Sequence, residues 1–483
     1  MKKLETDLAR LSTEYKNLSE VISARYPAYK QLTQPRSWDL KRIQEEVIKD
    51  NDTMLLEFSL GADRSYVWAV TSSSITGKEI PKRDTIEKAV QALHALLSEP
   101  AKPDNKEQLD HAAQELAQMV LSPVSSQLNK KRIILVADGA LNYIPFQMLP
   151  ATWANSEPLL SQYEINNAPS ATILGELREQ ARHRTVRPKT LVAFGNPVFA
   201  WTVKENESNA NVASASLETR DVEPLRSALR HTERNKETFD PSVIERLFYS
   251  GREIASLVDV ASEAQSFAAT DYAATRDRLL TIDLTQYSIL HIATHGFLDS
   301  EHPQGSGLLL STIDPSGKPL NGFVGLQDIY SMHAPLDLVV LSACNTGLGK
   351  DVRGEGLVGL TRGFMYAGAT SVVASLWQVQ DEATAELMKQ FYIEMLENGL
   401  TPGDALRAAQ NTIRKNPKWS SPHYWAGFIL QGEYLNVVKS ARRGPNYAVL
   451  SEIGILLVLL TVAGYLYWRP GRKAIRHRRS SRH

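Results

Sequence analysis

Tyr287-Ser-Ile-Leu-His-Ile-Ala-Thr-His295-Gly296 and, about forty residues on, Leu336-Asp-Leu-Val-Val-Leu-Ser-Ala-Cys344-Asn-Thr-Gly347 follow one pattern. Each is a short apolar run rich in β-branched residues that ends in a reactive side chain and then a turn residue. Buried parallel strands read this way when they deliver a catalytic group to the carboxyl edge of a sheet. Cys344 is the single cysteine of the chain, which excludes an internal disulfide and a cysteine-rich zinc site. One thiol and one imidazole at two strand ends point to a cysteine nucleophile with its base.

The chain around these strands has 483 residues, room for two to three domains with sizeable cores. Its formal charge is zero but unevenly spread: seven Lys/Arg and no acid follow from Arg469, which leaves a body of about −7. A mildly acidic body argues against nucleic acid as a partner. The low cysteine usage fits a reducing compartment.

The first residues show no secretory signal, because acidic and polar side chains stand where an apolar stretch would be needed. Tyr447 to Trp468 is different: 22 residues, nearly all apolar, with aromatics at both ends and only Glu452 charged. As a helix it would cross ~30 Å of hydrocarbon, and a basic tail follows at once. A membrane span therefore explains it better than a buried core helix. Three Lys/Arg precede the span (Lys439, Arg442, Arg443) and seven follow, which favours a cytoplasmic tail. Tail-anchored insertion would reverse this, and with no signal to export the body, a cytoplasmic body is expected.

Before this span the chain reads as helices over 1–50, with Leu4, Leu8, Leu11, Tyr15 and Leu18 at helical spacing and no 34-residue repeat period. Thr53–Leu60 and Arg64–Thr71 around Gly61-Ala-Asp63 predict a hairpin. Amphipathic helices at 84–98 and 105–128 lead to a buried strand, Arg132–Ala137. A second α/β unit starts at Lys189–Gly195. Residues 200–240 read as a polar surface insertion. The pattern then predicts helices at 243–258 and 274–280, strand 287–294, a hairpin around Gly307–Leu310 and Gly322–Leu326, and strand 336–343. A helix at 356–367, strand Ser371–Trp377 and helices at 381–398 and 402–415 follow. Such alternation means a parallel sheet covered on both faces.

A cysteine–histidine dyad needs an imidazole near the thiol and amide donors facing the developing oxyanion. His295 and Cys344 supply the first, and the Gly296 and Cys344 amides the second. The plainer explanation of Cys344, a small buried hydrophobe, is weakened by the polar, glycine-rich Asn345–Gly349 that follows. His291 and His295 share a strand face but lie roughly 13 Å apart at ~3.3 Å per residue, too far for one metal ion. His291 is therefore expected to be an interior group. Gly354-Glu-Gly-Leu-Val-Gly359 mimics a dinucleotide fingerprint, but ten residues separate it from the strand where a tight turn is needed. Asp351, Glu355, Trp377 and Asp381 fall near the same sheet edge and are candidates for a substrate pocket. Solvation or capping accounts equally for the carboxylates, and core packing for Trp377.

His-Ile-Ala-Thr-His295-Gly-Phe-Leu-Asp, Leu-Ser-Ala-Cys344-Asn-Thr-Gly, Gly354-Glu-Gly-Leu-Val-Gly-Leu-Thr-Arg-Gly-Phe364, Ala367-Gly-Ala-Thr-Ser-Val-Val-Ala-Ser-Leu-Trp377 and Pro422-His-Tyr-Trp-Ala-Gly-Phe428 together resemble the CHAT domain. This is the caspase-like family, related to caspases and separase, and often joined to tetratricopeptide repeats. The resemblance covers about 50–434, including Leu135–Phe146. It implies an α/β fold with a caspase-like parallel sheet flanked by helices. It also implies a pseudo-protease unit at 51–180 packed on a catalytic unit at 181–436, between the N-terminal helices (1–50), the membrane helix (447–468) and the basic tail (469–483). The activity it implies is hydrolysis of peptide bonds in a protein substrate, with His295 as base, Cys344 as nucleophile, Gly296 and Cys344 at the oxyanion, and no cofactor or metal. The expectation is a membrane-anchored cysteine endopeptidase switched on by a protein partner or signal through the loops at 298–335 and 345–355. The competing expectations are an idle signalling scaffold and nucleotide binding through Gly354–Gly359.

Overall fold

Thr53–Ser59 (β1) and Ser65–Val70 (β2) form the expected hairpin, in register Leu56↔Ala69. Its turn is tight enough at Gly61 that a Cβ there would meet the Arg64 carbonyl oxygen at 2.2 Å. The computed structural model describes residue 10 and residues 37–100, 105–152, 155–199, 246–297, 305–342 and 355–438, the side chains of 151–152, 155–156 and 355–357 excepted. Residues 1–440 make one compact unit; the other, 441–483, lies wholly outside the described residues. So do the membrane-span candidate at 447–468 and the polar insertion over 200–240. The N-terminal helices expected over 1–50 are described only from residue 37, apart from residue 10.

Ile75–Ile80 (β3) adds an antiparallel strand to the hairpin. It is mostly exposed, with Lys78 and Glu79 along it, and so gives no buried alternation for a sequence reading to find. Arg83–Ser98 (α1) and Lys106–Val120 (α2) follow, each with one buried apolar face. Arg132–Val136 (β4) then pairs in parallel with β1. A small hairpin, Pro150–Thr152 (β5) with Asn155–Pro158 (β6), leads to Glu164–Asn167 (β7), parallel to β4, and to helix Ala171–Arg182 (α3).

The second half runs Lys189–Gly195 (β8), Phe248–Ala261 (α4), Ser266–Thr270 (β9), Arg276–Thr281 (α5) and Tyr287–Ala293 (β10). His295–Phe297 (β11), Gly307–Leu309 (β12) and Phe323–Gly325 (β13) make a separate three-stranded antiparallel sheet. Next come Leu326–Ser331 (α6), Leu338–Leu341 (β14), Glu355–Ala367 (α7) and Ser371–Ser375 (β15). Asp381–Tyr392 (α8), continued by a π-helical turn Ile393–Glu397, is followed by Pro402–Lys415 (α9) and Phe428–Gly432 (β16). β10, β14 and β15 are buried along their whole length, as strands covered on both faces must be.

All but the two small hairpin systems join one eleven-stranded sheet, ordered β3-β2-β1-β4-β7-β16-β15-β14-β10-β8-β9. It is mixed rather than all parallel, since β2 runs against both β1 and β3 and β16 runs against β15. The α/β architecture flanked by helices is as expected. The first and second halves share this sheet through β7 and β16, which are in register at a single pair, Asn167↔Gln431. Side-chain amides complete that seam. Gln147 and Gln410 both donate to the Phe428 carbonyl, at 3.0 and 2.9 Å, and Asn167 donates to Leu430 at 3.2 Å. A buried ion pair, Arg178–Glu433 at 2.8 Å, ties α3 to the residue after β16.

In the second half β8 has β9 on one side and β10 on the other, so successive connections diverge there. A crevice opens at such a switch point, outside the carboxyl ends of the strands. α4 approaches the end of β8 closely, because Gly195 leaves no Cβ. One built there would stand 2.6 Å from Ile254 Cγ1 and 3.1 Å from the Ser250 carbonyl oxygen. Asn196, next along, has φ of +49° and is pinned on three sides. Its N–H donates to Ser250 Oγ (2.7 Å), its amide to Asp271 (2.8 Å), and its oxygen accepts from Arg246 (2.9 Å).

Candidate active site

The site is assembled from chain segments leaving β8, β10, β14 and β15. β10 and β14 are parallel neighbours in register Ile292↔Leu341. His295 stands three residues beyond Ile292, and Cys344 three residues beyond Leu341. Cys344 itself lies outside the described residues. Ser342, two residues before it, is described and lines the same cleft as His295.

His295 does not close β10 as a strand end followed by a turn. The path breaks at Thr294, whose hydroxyl donates to the Leu309 carbonyl, and His295 and Gly296 continue as extended residues of β11. Gly296 is paired opposite Leu308. The turn expected at Gly296 is thus a change of sheet, because the chain finds a new antiparallel partner in β12. The His295 ring is buried, with its centroid 5.9 Å from that of Phe199 at 47°.

His295 borders a solvent-open cleft between the first turns of α4 and α8. Leu247, Ser250 and Glu253 form one wall, Asp381 and Thr384 the other, and Thr294, Ser342, Ser375 and Trp377 the sheet edge. Of the four pocket candidates read from sequence, two are brought here. Trp377 is core as well as wall: only 1% exposed, it donates from Nε1 to the His423 carbonyl at 2.9 Å and meets His94 edge-on at 6.0 Å. Asp381 is half-buried and opens α8, where a carboxylate complements the helix dipole. Asp351 lies outside the described residues, and of Glu355 only the backbone, the first residue of α7, is described.

His291 is an interior group, as its distance from His295 along the strand implies. Its Nδ1 lies 3.0 Å from Tyr392 Oη and its Nε2 2.8 Å from Glu253 Oε1. Burial, and then the Glu253 charge, pushes the Tyr392 phenol well above its ordinary range. The Glu253 carboxylate accepts the Nε2 proton's hydrogen bond, and Tyr392, which keeps its own proton, can then donate to Nδ1. Glu253 thus faces the buried histidine with one oxygen while lining the cleft, and sequence reading missed it. The signal was available: a carboxylate beside Ile254 on the core-facing stripe of an otherwise amphipathic helix. Ser342, also missed, is 8% exposed and its hydroxyl has no hydrogen-bond partner among the described residues.

Among the described residues no group of three His, Cys, Asp or Glu is arranged to hold a metal ion. Of the glycines resembling a dinucleotide fingerprint, Gly359 has a packing role. Gly359 and, one turn on, Gly363 lie within α7, and Cβ atoms on them would stand 3.6 and 3.4 Å from the Leu326 side chain of α6. They permit a close helix crossing.

Compared with solved structures, the chain is similar to the Saccharomyces cerevisiae separase–securin complex, with 10% identity and a TM-score of 0.49 over 82% of this chain and 31% of that one. It is also similar to the Arg-specific cysteine proteinase gingipain R, with 10% identity and a TM-score of 0.39 over 74% of each chain. Among curated sequences it is 26% identical over 333 residues to human (Homo sapiens) tetratricopeptide repeat protein 28. That alignment covers 62% of this chain and 12% of the relative, so the chain spans about an eighth of that protein's length. The family model of the CHAT domain matches residues 110–433, about two thirds of the chain, from within α2 to the residue after β16. On that match, the chain belongs to the CHAT domain family.

Proposed function

We propose that the protein is a cysteine endopeptidase of caspase-like type, with His295 as general base and Cys344 as nucleophile. The observation that carries this reading is the parallel register of β10 and β14. It supports the reading by setting side by side the two strands that lead toward His295 and toward Cys344, next to the cleft that His295 borders. Strands in such a sheet run ~4.8 Å apart. Proton transfer from thiol to imidazole gives the thiolate, which attacks the peptide carbonyl. The imidazolium then protonates the leaving amine, and water, activated by the same imidazole, hydrolyses the thioester. The Gly296 and Cys344 amides are the donors assigned to the oxyanion. The first half, with no thiol or histidine at its strand ends, acts in this reading as a pseudo-protease support.

The test is mapping of new protein N-termini in cells expressing wild type, Cys344→Ala or His295→Ala. The expected result is a set of cuts made by wild type and absent from both variants, with all three proteins melting alike. Cuts that persist in Cys344→Ala would remove the assignment. Activation by a protein partner is part of the proposal. So is anchoring through 447–468, with the body in the cytoplasm. Alkaline carbonate washing should leave the full chain in the membrane pellet and release a chain ending at residue 440. Release of both would refute the anchor.

A further inference from the structure

We propose that the cleft beside His295 receives a basic side chain, arginine or lysine, of the substrate residue whose carbonyl is attacked; this rests on the endopeptidase reading above. Three features of the cleft point to it. Its apolar wall, from Leu247, Val379 and Phe428, suits a methylene stem. Two carboxylates line it, the 2%-exposed Glu253 deep inside and the half-buried Asp381, while no lysine or arginine does among the described residues. The Ser342 hydroxyl, from a residue of the same lining and more than nine-tenths buried, has no hydrogen-bond partner among the described residues.

Each candidate occupant can be judged against that lining. An acidic side chain would meet two carboxylates in a partly desolvated space, where like charges repel strongly. An apolar one would bury the Ser342 hydroxyl and both carboxylates without new partners, which costs free energy. A guanidinium, with five N–H donors, or an ammonium, with three, supplies donors to all of them. Glu253 can take part although it already accepts from His291 Nε2, because an ionised carboxylate offers about four acceptor positions. Glu253 and Asp381 are thus specificity-determining residues.

The experiment uses the full-length Cys344→Ala protein and pools of acetylated hexapeptides. One position is fixed as Arg, Lys, citrulline, norleucine or Glu, and the others are randomised. The Arg and Lys pools should bind at least about tenfold more tightly than the citrulline pool, in line with a charge-assisted hydrogen bond. Glu253→Gln keeps the bond from His291, and Asp381→Asn keeps shape. Each should cut that preference severalfold while thermal melting stays unchanged. Equal binding of Arg and citrulline pools, tighter binding of the Glu pool, or no binding of any pool would overturn the inference. Wild-type digestion of the same pools separates the two claims. Cuts by Cys344 after neutral or acidic residues would refute the basic cleft and keep the endopeptidase. A basic preference in binding without any Cys344-dependent cut, in the pools or in the cells that supply the activating partner, would keep the cleft and refute the endopeptidase.

Discussion

Acid should loosen the joint between the two halves through His94. This residue sits on α1 in the first half, 4% exposed, edge-on to Trp377 of the second half and to Tyr143 at 6.2 Å. Burial pushes its imidazole from 6.5 down to about 4, against the opposing pull of the Leu376 carbonyl 3.4 Å from Nε2. In the unfolded chain it regains its ordinary value. Between those two values the unfolded chain binds the extra proton and the folded one does not, so stability rises with pH across that window. The contribution is whole above about pH 6.5 and is lost as pH falls toward about 4. At 1.36 kcal/mol per unit the loss amounts to about 3 kcal/mol. The assay is urea unfolding of the full chain and of His94→Leu from about pH 7 to about pH 4. His423 is also buried and also lowered, but it is present in both proteins, so its effect cancels in the comparison. Wild type should lose about 3 kcal/mol more than the variant over this range. Parallel curves for the two proteins would refute the reasoning.

The other two predictions concern buried polar groups. Arg178→Met removes the partner of Glu433, which is 1% exposed on its side chain, and should cost about 3–5 kcal/mol by equilibrium unfolding. Adding Glu433→Gln should recover part of that, and no recovery would mean the pair matters only through packing. Tyr392→Phe strands His291 Nδ1 in the core and should lower stability by about 1–3 kcal/mol, again by urea unfolding; an unchanged midpoint would contradict the assigned tautomer.

Sequence carried the strands that matter to the site, for a physical reason. β10 and β14 are buried on both faces, so their apolar runs are continuous and end where polar residues begin. The helix Pro402–Lys415 was readable to its ends, because Thr401 caps it by accepting from the Asp404 N–H and Pro402 opens it. β3 and β7 were not readable: β3 is largely exposed, and β7 is four residues long with two asparagines facing buried partners. β16 was hidden inside a motif, with Gln431 and Gly432 interrupting its apolar pattern. Continuity of the sheet across both halves was equally invisible, since Asn167 and Gln431 meet from 264 positions apart. At the site, His291 was legible from strand spacing, whereas Glu253 was not. Its place on the core-facing stripe beside Ile254 marks it as an unusual buried carboxylate, but the partner it meets, His291, lies 38 residues on and is not readable locally.

The single-pair junction of β7 with β16 has a bearing on how this protein fails. Amide side chains and the Arg178–Glu433 pair, rather than a ladder, close that line, so the sheet is held together there by side chains more than by backbone pairing. Parting would bare two raw strand borders at once, each with unsatisfied peptide groups ready to recruit another chain. For this molecule, loosening Gln147, Asn167 and Gln410 together is expected to raise its tendency to clump.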